Sequence, residues 1–327
     1  MGEFDFITHY FGGADTGSGV TLGVGDDCAL LAPAPGQQLA VTSDALVQGV
    51  HFFADVPPDA LGHKALAVNL SDLAACGAAP LAFTLALALP PERAQNDAWM
   101  RAFAGGLLAC AREHGCPLVG GDTTAAPVPT ISITALGSVP PAQALRRDGA
   151  RAGDEVWASG TLGDARLALG ALQGRWTLPP AVLAAARARL ERPAPRLALG
   201  QALRGVASAC IDVSDGLAGD LGHILRASGV GACLDADALA TCLAVREALH
   251  TWPEHCPSAL ELALHGGDDY ELAFTAPPAA RDKVLAAAQQ AGCPVRCIGT
   301  IEATHGLRLR HEGGRTEETT AHAVEHF

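Results

Sequence analysis

The sequence predicts a two-domain chain of the α/β (α+β) class, and three observations support this. At 327 residues the chain exceeds one typical domain core and suits two. Segments with helical and with strand periodicity alternate along it, as in mixed α/β or α+β folds. Between residues 140 and 154 the composition shifts to Pro, Arg, Gly and Asp, a typical domain junction. We therefore predict domains of residues 1–147 and 148–327.

The first half of the chain carries alternating helix and strand signals. The strongest strand signal lies at 130–136, where Ile131, Ile133 and Ala135 alternate with Ser and Thr. A long helix that begins at Glu92 is expected to stop at Gly115. The predicted helices are 3–11, 59–76 and 92–114. The predicted strands are 21–24, 38–42, 81–89, 118–119 and 130–136.

The second half repeats this alternation. Ala- and Arg-rich segments between 179 and 203 predict helices, and short apolar runs before glycine turns predict strands. The other predicted helices are 164–172, 217–227 and 279–291. The predicted strands are 155–158, 207–213, 271–276 and a final pair within 296–310.

Composition and charge exclude several classes of protein. Hydrophobic residues make up 49% and charged residues 17%, so a core can form and global disorder is excluded. The net charge of −13 repels phosphate backbones and anionic lipid, so neither nucleic acid nor membrane is an expected partner. The ten cysteines lack zinc or redox spacing, and the N-terminus does not resemble a signal peptide. We therefore expect a cytoplasmic protein with reduced thiols.

The common nucleotide-binding motifs are absent from the sequence. It contains no G-x-x-x-x-G-K-[ST] segment, no glycine fingerprint in a βαβ context and no protein-kinase signature set. An enzyme this acidic that uses ATP needs metal ions between its carboxylates and the phosphates. The glycine turn at 160–164 precedes a helix and could offer N–H groups to an anion, but this signal is weak and an ordinary strand-to-helix turn explains it better.

Six groups of Asp residues lie beside glycine turns or at strand ends. Each has a structural explanation: Asp215 could cap a helix starting at Leu217, and Asp72 could be a solvated helix residue. If several converge, two carboxylates ~4 Å apart repel by roughly 4 kcal/mol at an effective dielectric near 20. Hard divalent cations remove this repulsion, and all-oxygen ligands favour Mg²⁺. The groups lie at 25–27, 42–44, 69–72, 120–124, 212–216 and 266–271.

These groups carry a family resemblance. In this order they resemble the motifs of thiamine-monophosphate kinases, within the ATP-binding superfamily of aminoimidazole ribonucleotide synthetase, and the resemblance runs from the opening GEFDFI to the closing EHF. The motifs are GVGDDCALL (23–31), VTSDAL (41–46), HKALAVNLSDLAACGAAP (63–80), GGDTT (120–124), IDVSDGLAGDLGHIL (211–225) and GGDDYEL (266–272).

The resemblance implies a fold and a reaction. The fold is the two-domain aminoimidazole ribonucleotide synthetase-like one, with an N-terminal sheet that pairs across a homodimer and a C-terminal α/β domain. The reaction is ATP-dependent phosphorylation of thiamine monophosphate to thiamine diphosphate by in-line transfer assisted by several Mg²⁺ ions, the last step of thiamine diphosphate biosynthesis.

The resemblance also implies residue roles. The metal ligands are Asp27, Thr42, Ser43, Asp44, Asp72, Asp122, Asp212 and Asp215. The ATP contacts are Gly121, Asp122, Arg147 and Ser214, and the residues expected to act in catalysis are Asp44, Asp122, Asp212 and Arg147. Positions 51, 268 and 324 match substrate contacts. Of these, His51 fits the family, Asp268 replaces the usual Glu, and Val324 replaces an aromatic residue.

The expected chemistry explains the number of carboxylates. The attacking phosphate oxygen is already anionic, since its second pKa is about 6, so no catalytic base is required. Magnesium ions that bridge the phosphates lower their repulsion and hold them in line. Arg147 could clamp two phosphate oxygens, or it could be a surface cation near the domain junction.

Three alternatives remain open on residues alone. The nearest is another enzyme of the superfamily, such as aminoimidazole ribonucleotide synthetase or selenophosphate synthetase. The acidic N-terminus and the late first cysteine, Cys28, argue against the latter. A metal-dependent phosphatase or nuclease would need a water-activating group. A structural cation-binding protein would carry its ligands in one contiguous loop, as in an EF-hand.

Overall fold

The computed structural model describes residues 3–12, 17, 19–24, 28–240, 242–246, 249 and 251–319. The chain divides into two compact units. The first unit comprises residues 1–73 and 78–142, and the second comprises residues 74–77 and 143–327. The limits of the two domains given above stay predictions.

The first unit contains a four-stranded sheet and a two-stranded ribbon. Its helices are α1 (Glu3–Phe11), α2 (Pro58–Ala75), α3 (Pro91–Ala94) and α4 (Asp97–Glu113). Its strands are β1 (Val20–Leu22), β2 (Leu30–Leu31), β3 (Gln38–Val47), β4 (Ala79–Leu89), β5 (Leu118–Ala125) and β6 (Thr130–Val139). The strand order in the sheet is β3-β6-β4-β5, and β1 pairs with β2.

Helix α2 is buried around most of its circumference. The consecutive residues Leu66, Ala67 and Val68 point in different directions around the helix, and they are 0%, 0% and 3% exposed. A helix that is apolar on nearly every side belongs in a core rather than on a surface. The polar residues on α2 are therefore placed at fixed positions beside the sheet.

The long helix expected over 92–114 is wrong, because the structure has two helices there. Helix α3 ends at Ala94, and Asn96 is the N-cap of α4. The Asn96 side chain accepts a hydrogen bond from the Trp99 N–H at 3.0 Å. An Asn that satisfies a free N–H of the first turn starts a new helix, which a periodicity count overlooks.

The second unit contains a seven-stranded mixed sheet. Its strand order is β13-β12-β9-β11-β7-β10-β8, and among the described strands of this sheet only β9 and β12 pair in parallel. Its helices are α5 (Asp164–Leu172), α6 (Pro180–Glu191), α7 (Leu197–Ala202), α8 (Leu217–Ser228), α9 (Ala236–Ala240), α10 (Ala259–His265) and α11 (Arg281–Ala291). Its strands are β7 (Glu155–Ser159), β8 (Ala209–Val213), β9 (Gly231–Asp235), β10 (Glu271–Ala276), β11 (Val295–Glu302), β12 (Gly306–Arg310) and β13 (Thr316–Thr319).

The core of the second unit lies where α8 packs on this sheet. Leu217, Leu221 and Ile224 of α8 are all 0% exposed and join the cluster that includes Ile211 and Val213 of β8. The strand β8 and the helix α8 are thus held rigidly on both sides of the turn that connects them. That turn carries several of the predicted site residues.

Helices long and apolar enough to cross a membrane do not occur in the part of the chain that the structure describes. All ten cysteines are free thiols, and six of them are buried. Buried thiols of this kind pack as small apolar side chains.

Candidate active site

Strand β3 and helix α2 bring three of the predicted metal ligands onto one side of the sheet. The Thr42 hydroxyl donates a hydrogen bond to Asp72 Oδ2. The Asp44 N–H donates to Asn69 Oδ1 at 3.2 Å, and Asn69 in turn donates to the Ala65 carbonyl at 3.1 Å. Because alternate residues of a strand face the same side, Thr42 and Asp44 both lie towards α2. The first unit therefore assembles an oxygen-rich group from Thr42, Asp44 and Asp72.

Ser43 lies on the opposite face of the sheet. Its hydroxyl donates to the Ile133 carbonyl at 3.1 Å and shares a hydrogen bond of 3.0 Å with Thr134 Oγ1. The three consecutive residues expected to bind metal are thus divided between two faces. Its role as a metal ligand stays a prediction.

Gly121 occupies a position that only glycine tolerates. Its φ is +150°, and a Cβ there would lie 1.8 Å from the Leu85 carbonyl oxygen. In the β4–β5 register, Leu85 pairs with Gly121 and Ala86 with Asp122. Asp122 is exposed and lies on β5, one edge of the sheet, whereas Asp44 lies on β3, the other edge. Within one chain, three strand spacings separate these two carboxylates.

His51 has a structural contact of its own. Its Nδ1 accepts a hydrogen bond from the Val47 N–H at 3.1 Å. In this tight turn the Gly49 N–H also donates to the Phe52 carbonyl at 2.9 Å. The contact requires Nδ1 to be unprotonated, so the neutral ring carries its proton on Nε2. The turn thereby fixes the imidazole at the end of β3, and contact with the substrate stays a prediction.

In the second unit, the turn after β8 is held by a buried carboxylate. Asp212, 6% exposed, lies at the end of β8. The N–H groups of Ser214 and Asp215 both donate to Asp220 Oδ2, each at 3.0 Å. Burial raises the pKa of Asp220 to about 7, while these N–H groups and the charge of Arg147 act in the opposite direction. Asp220 was not among the predicted site residues, and as the fourth residue of α8 it does not fit the capping-box pattern, in which an acid at the third position binds the N–H of the N-cap itself.

The structural explanation for Asp215 as a helix cap is wrong. Gly216, with a φ of +109°, is the N-cap of α8 and brings no side chain to that position. The Asp215 backbone is held by Asp220 instead. Its carboxylate is therefore not used to cap the helix.

The loop that precedes β10 packs against the turn after β8. The Asp268 N–H donates to the Ser214 carbonyl at 2.8 Å, and the Tyr270 N–H donates to the Val213 carbonyl at 2.8 Å. Both residues have positive φ, +65° for Asp268 and +52° for Tyr270. Such backbone strain persists only where surrounding contacts impose it. The predicted ATP contact Ser214 and the predicted substrate contact Asp268 are thus directly hydrogen-bonded.

The glycine turn at 160–164 already binds a carboxyl group of the chain itself. The Gly163 N–H lies 3.0 and 2.8 Å from the two carboxylate oxygens of Asp269. Asp269 is 3% exposed, and burial raises its pKa well above the ordinary value. The turn therefore serves to anchor the loop that contains Asp268.

The two neighbouring arginines at the start of the second unit differ. Arg146 is paired with Asp148 through contacts of 2.9 and 2.6 Å. Arg147 is exposed, and its charge acts on the pKa values of Asp220 and His223, so its guanidinium lies near α8. Of the two, Arg147 is the one whose charge acts on Asp220, the residue that holds the Ser214–Asp215 turn.

The side chains predicted to bind metal suit magnesium by their chemistry, since each offers a carboxylate or hydroxyl oxygen as a ligand. Across residues 3–12, 17, 19–24, 28–240, 242–246, 249 and 251–319, no three His, Cys, Asp or Glu side chains already converge as a metal site. Asp27 and Val324 lie outside the described residues. Thr42, Asp44, Asp72 and Asp122 of the predicted set lie in the first unit, and Asp212 and Asp215 lie in the second.

Comparison with known proteins defines the class. Residues 25–139 match the family described as AIR synthase related protein, N-terminal domain, and residues 151–312 match AIR synthase related protein, C-terminal domain. The predicted two-domain α/β fold of the aminoimidazole ribonucleotide synthetase type is confirmed.

Individual relatives narrow this class. The chain is 43% identical to the thiamine-monophosphate kinase of Salmonella typhimurium. This alignment of 315 residues covers 95% of this chain and 94% of the relative. The crystal structure of thiamine-monophosphate kinase from Stenotrophomonas maltophilia matches with 46% sequence identity and a TM-score of 0.81. The match covers 89% of this chain and 91% of that one. A solved structure of AaThiL complexed with AMPPCP and TMP is 30% identical, with a TM-score of 0.74 and coverage of 90% and 88%. The chain belongs to the thiamine-monophosphate kinase family.

Proposed function

We propose that this chain transfers the terminal phosphate of ATP to thiamine monophosphate and releases thiamine diphosphate and ADP. Family membership supports this, as does the similar AaThiL structure, which holds AMPPCP and TMP. The observation that carries the proposal is the 2.8 Å hydrogen bond from the Asp268 N–H to the Ser214 carbonyl. It joins the residue assigned to the phosphoryl acceptor and the residue assigned to ATP in one rigid element.

The chain's own residues hold the reactants in place. Ser214 and Gly121 contact ATP, and the Arg147 guanidinium binds two phosphate oxygens in its planar fork. His51 and Asp268 contact thiamine monophosphate. The acceptor phosphate is ionised near neutral pH, since its second pKa is about 6, so the residues position and neutralise rather than remove a proton.

Magnesium is part of the proposal. Its ligands would come from the assigned carboxylates and hydroxyls, and when bound it supplies positive charge between two polyanions. The oxygen-rich group of Thr42, Asp44 and Asp72 supports this assignment in the first unit. Asp212, near the end of β8, and Asp215, on the rigid turn that follows it, support it in the second. Asp27, Ser43 and Asp122 complete the assigned set.

A homodimer is also proposed. On the outer face of β3, Leu39 is 52% exposed and Val41 is 63% exposed. Adjacent apolar side chains on a sheet face favour burial against another surface. A second copy of the chain, pairing through this sheet, would cover them.

A cytoplasmic location fits the ten free thiols.

The test is incubation with Mg-ATP and either thiamine monophosphate or free thiamine. Thiamine diphosphate from the monophosphate is the expected product. Product from free thiamine alone would overturn the substrate assignment, and release of free phosphate without thiamine diphosphate would indicate a phosphatase.

Variants connect the activity to the site. Asp44→Asn and Asp212→Asn should fold normally yet lose product formation by more than about 100-fold, because each removes a charge assigned to metal binding. Asp97→Asn is the matched control, since Asp97 is an exposed carboxylate of α4 that pairs with Arg101. Normal turnover by both site variants at saturating Mg²⁺ would refute their assignment.

A further inference from the structure

Asp220 has no role among the residues assigned above, yet its carboxylate holds the turn that carries them. A single oxygen, Oδ2, accepts hydrogen bonds from two consecutive N–H groups, those of Ser214 and Asp215. Two convergent N–H donors on one acceptor fix the orientation of both peptide planes. The orientation of the Ser214 and Asp215 side chains follows from these planes.

Asp220 itself cannot move without disturbing the core. It is 4% exposed and lies on α8 between Leu217 and Leu221, both 0% exposed. Helix α8 packs against the sheet through this apolar face. The acceptor oxygen is therefore placed by a rigid element, which is the arrangement that positions a functional group most accurately.

The effect of Asp220 reaches the loop that precedes β10 through one peptide unit. The Ser214 N–H donates to Asp220, and the Ser214 carbonyl accepts from the Asp268 N–H at 2.8 Å. Gly267 packs tightly here, because a Cβ at that position would lie 2.6 Å from the Ser214 carbonyl oxygen. A shift of the Ser214 peptide would therefore displace both the nucleotide side and the acceptor side of the proposed site.

We infer that Asp220 is a positioning residue for phosphoryl transfer, which sets the geometry of Ser214, Asp215 and Asp268 together through the main chain of the turn. This inference rests on the proposed function. This role of Asp220 requires an acceptor oxygen and not a charge, because the two lone pairs of one oxygen, Oδ2, accept both hydrogen bonds. The amide oxygen of Asn can replace that atom, whereas Ala leaves two N–H groups without their acceptor.

The test compares Asp220→Ala with Asp220→Asn. We expect Asp220→Ala to lower kcat/KM roughly 10- to 100-fold, with a raised KM for both ATP and thiamine monophosphate, since small displacements of positioning groups have effects of this size. Asp220→Asn should stay within about threefold of the parent protein. Hydrogen exchange of the Ser214 and Asp215 amides should accelerate in Asp220→Ala and not in Asp220→Asn.

Asp154→Ala is the matched control for a purely structural effect. Asp154 is 5% exposed in the same unit and also accepts a backbone N–H, that of Arg151 at 3.0 Å, together with the Ser208 hydroxyl at 2.6 Å. Ser208 precedes β8, so this site is at the opposite end of that strand from Asp212. Asp154→Ala should lower the melting temperature while kcat/KM per folded molecule changes less than about twofold.

Three results would overturn the inference: a kcat/KM of folded Asp220→Ala within about twofold of the parent, unchanged exchange at residues 214 and 215, or an Asp220→Asn defect equal to that of Asp220→Ala. If the parent protein makes no thiamine diphosphate, the proposed function fails. The exchange measurements then still decide whether Asp220 holds the turn.

Discussion

The Thr42 hydroxyl donates a hydrogen bond to Asp72 Oδ2 and so links strand β3 to helix α2 in the first unit. The two residues are 30 positions apart in the sequence, and each was assigned separately to magnesium. Their contact orients the Asp72 carboxylate before any ion binds. The Thr42 hydroxyl thus positions Asp72. A substitution that keeps the shape of the side chain but removes the hydroxyl tests this role.

Thr42→Val should therefore raise the Mg²⁺ concentration needed for half-maximal activity by about 10-fold. Val keeps the branched shape but removes both the donor that orients Asp72 and the hydroxyl oxygen assigned to magnesium. The measurement is initial rate against Mg²⁺ concentration at fixed ATP. Thr42→Ser keeps the hydroxyl and is the control. Superimposable Mg²⁺ curves for Val and Ser would contradict the prediction.

Gly121→Ala should destabilise the protein by about 3 kcal/mol, from backbone strain together with overlap against the Leu85 carbonyl. Gly120→Ala is a closely matched control, since a Cβ on the neighbouring Gly120 would meet no atom within 4 Å. We expect that variant to change the free energy of unfolding by less than about 0.5 kcal/mol. Chemical denaturation of both variants checks this. Equal stabilities would show that the backbone of β5 adapts.

Glu271→Gln should lower the free energy of unfolding by about 3 kcal/mol or more. Glu271 is 0% exposed and binds the guanidinium groups of Arg189 and Arg196. The substitution leaves two partly buried cations without their counter-charge. Thermal and chemical unfolding measure the loss.

Glu191→Gln is the control for Glu271→Gln, because it breaks an i,i+4 pair with Arg187 on α6. Pairs of this kind contribute less than about 1 kcal/mol. A loss in Glu271→Gln as small as in Glu191→Gln would mean that the buried network contributes little.

Asp269→Asn should become more stable relative to the parent protein as the pH rises from about 4 towards neutrality. Burial raises the pKa of Asp269 well above its ordinary value of 3.8. Above that value the unfolded chain has lost a proton that the folded protein retains, so stability of the parent falls with increasing pH. Asn does not titrate, so Asp269→Asn removes this contribution to the pH dependence of stability. Denaturation midpoints across the pH range check it, and a difference that does not vary with pH would refute it.

Regular elements were the most predictable part of the molecule. Helix Asp164–Leu172 and strand Glu271–Ala276 have the limits expected from periodicity, because each is bounded by glycine, proline or polar residues. Strand β9 was missed because GACLD is short and lacks alternation. Helix α10 was also missed, although Ser258 and Glu261 form a capping box that its sequence does display.

The site was predictable only in part. Motifs singled out Asp212, Ser214 and Asp268, but the hydrogen bond between the Ser214 and Asp268 main chains joins residues 54 positions apart and depends on tertiary packing. The opposite orientations of Thr42 and Ser43 follow from strand alternation once β3 extends to Val47. Asp220 resembled an ordinary helix residue until its partners were known.

The main-chain anchoring of the Asp268 loop bears on how the pocket can diversify. Because N–H groups of residues 268 and 270 hold the loop, its path does not depend on which side chain stands at position 268. Exchange of Glu for Asp there alters reach by one methylene group and leaves the scaffold alone. Related enzymes can therefore adjust their fit to the acceptor by single substitutions without refolding the loop.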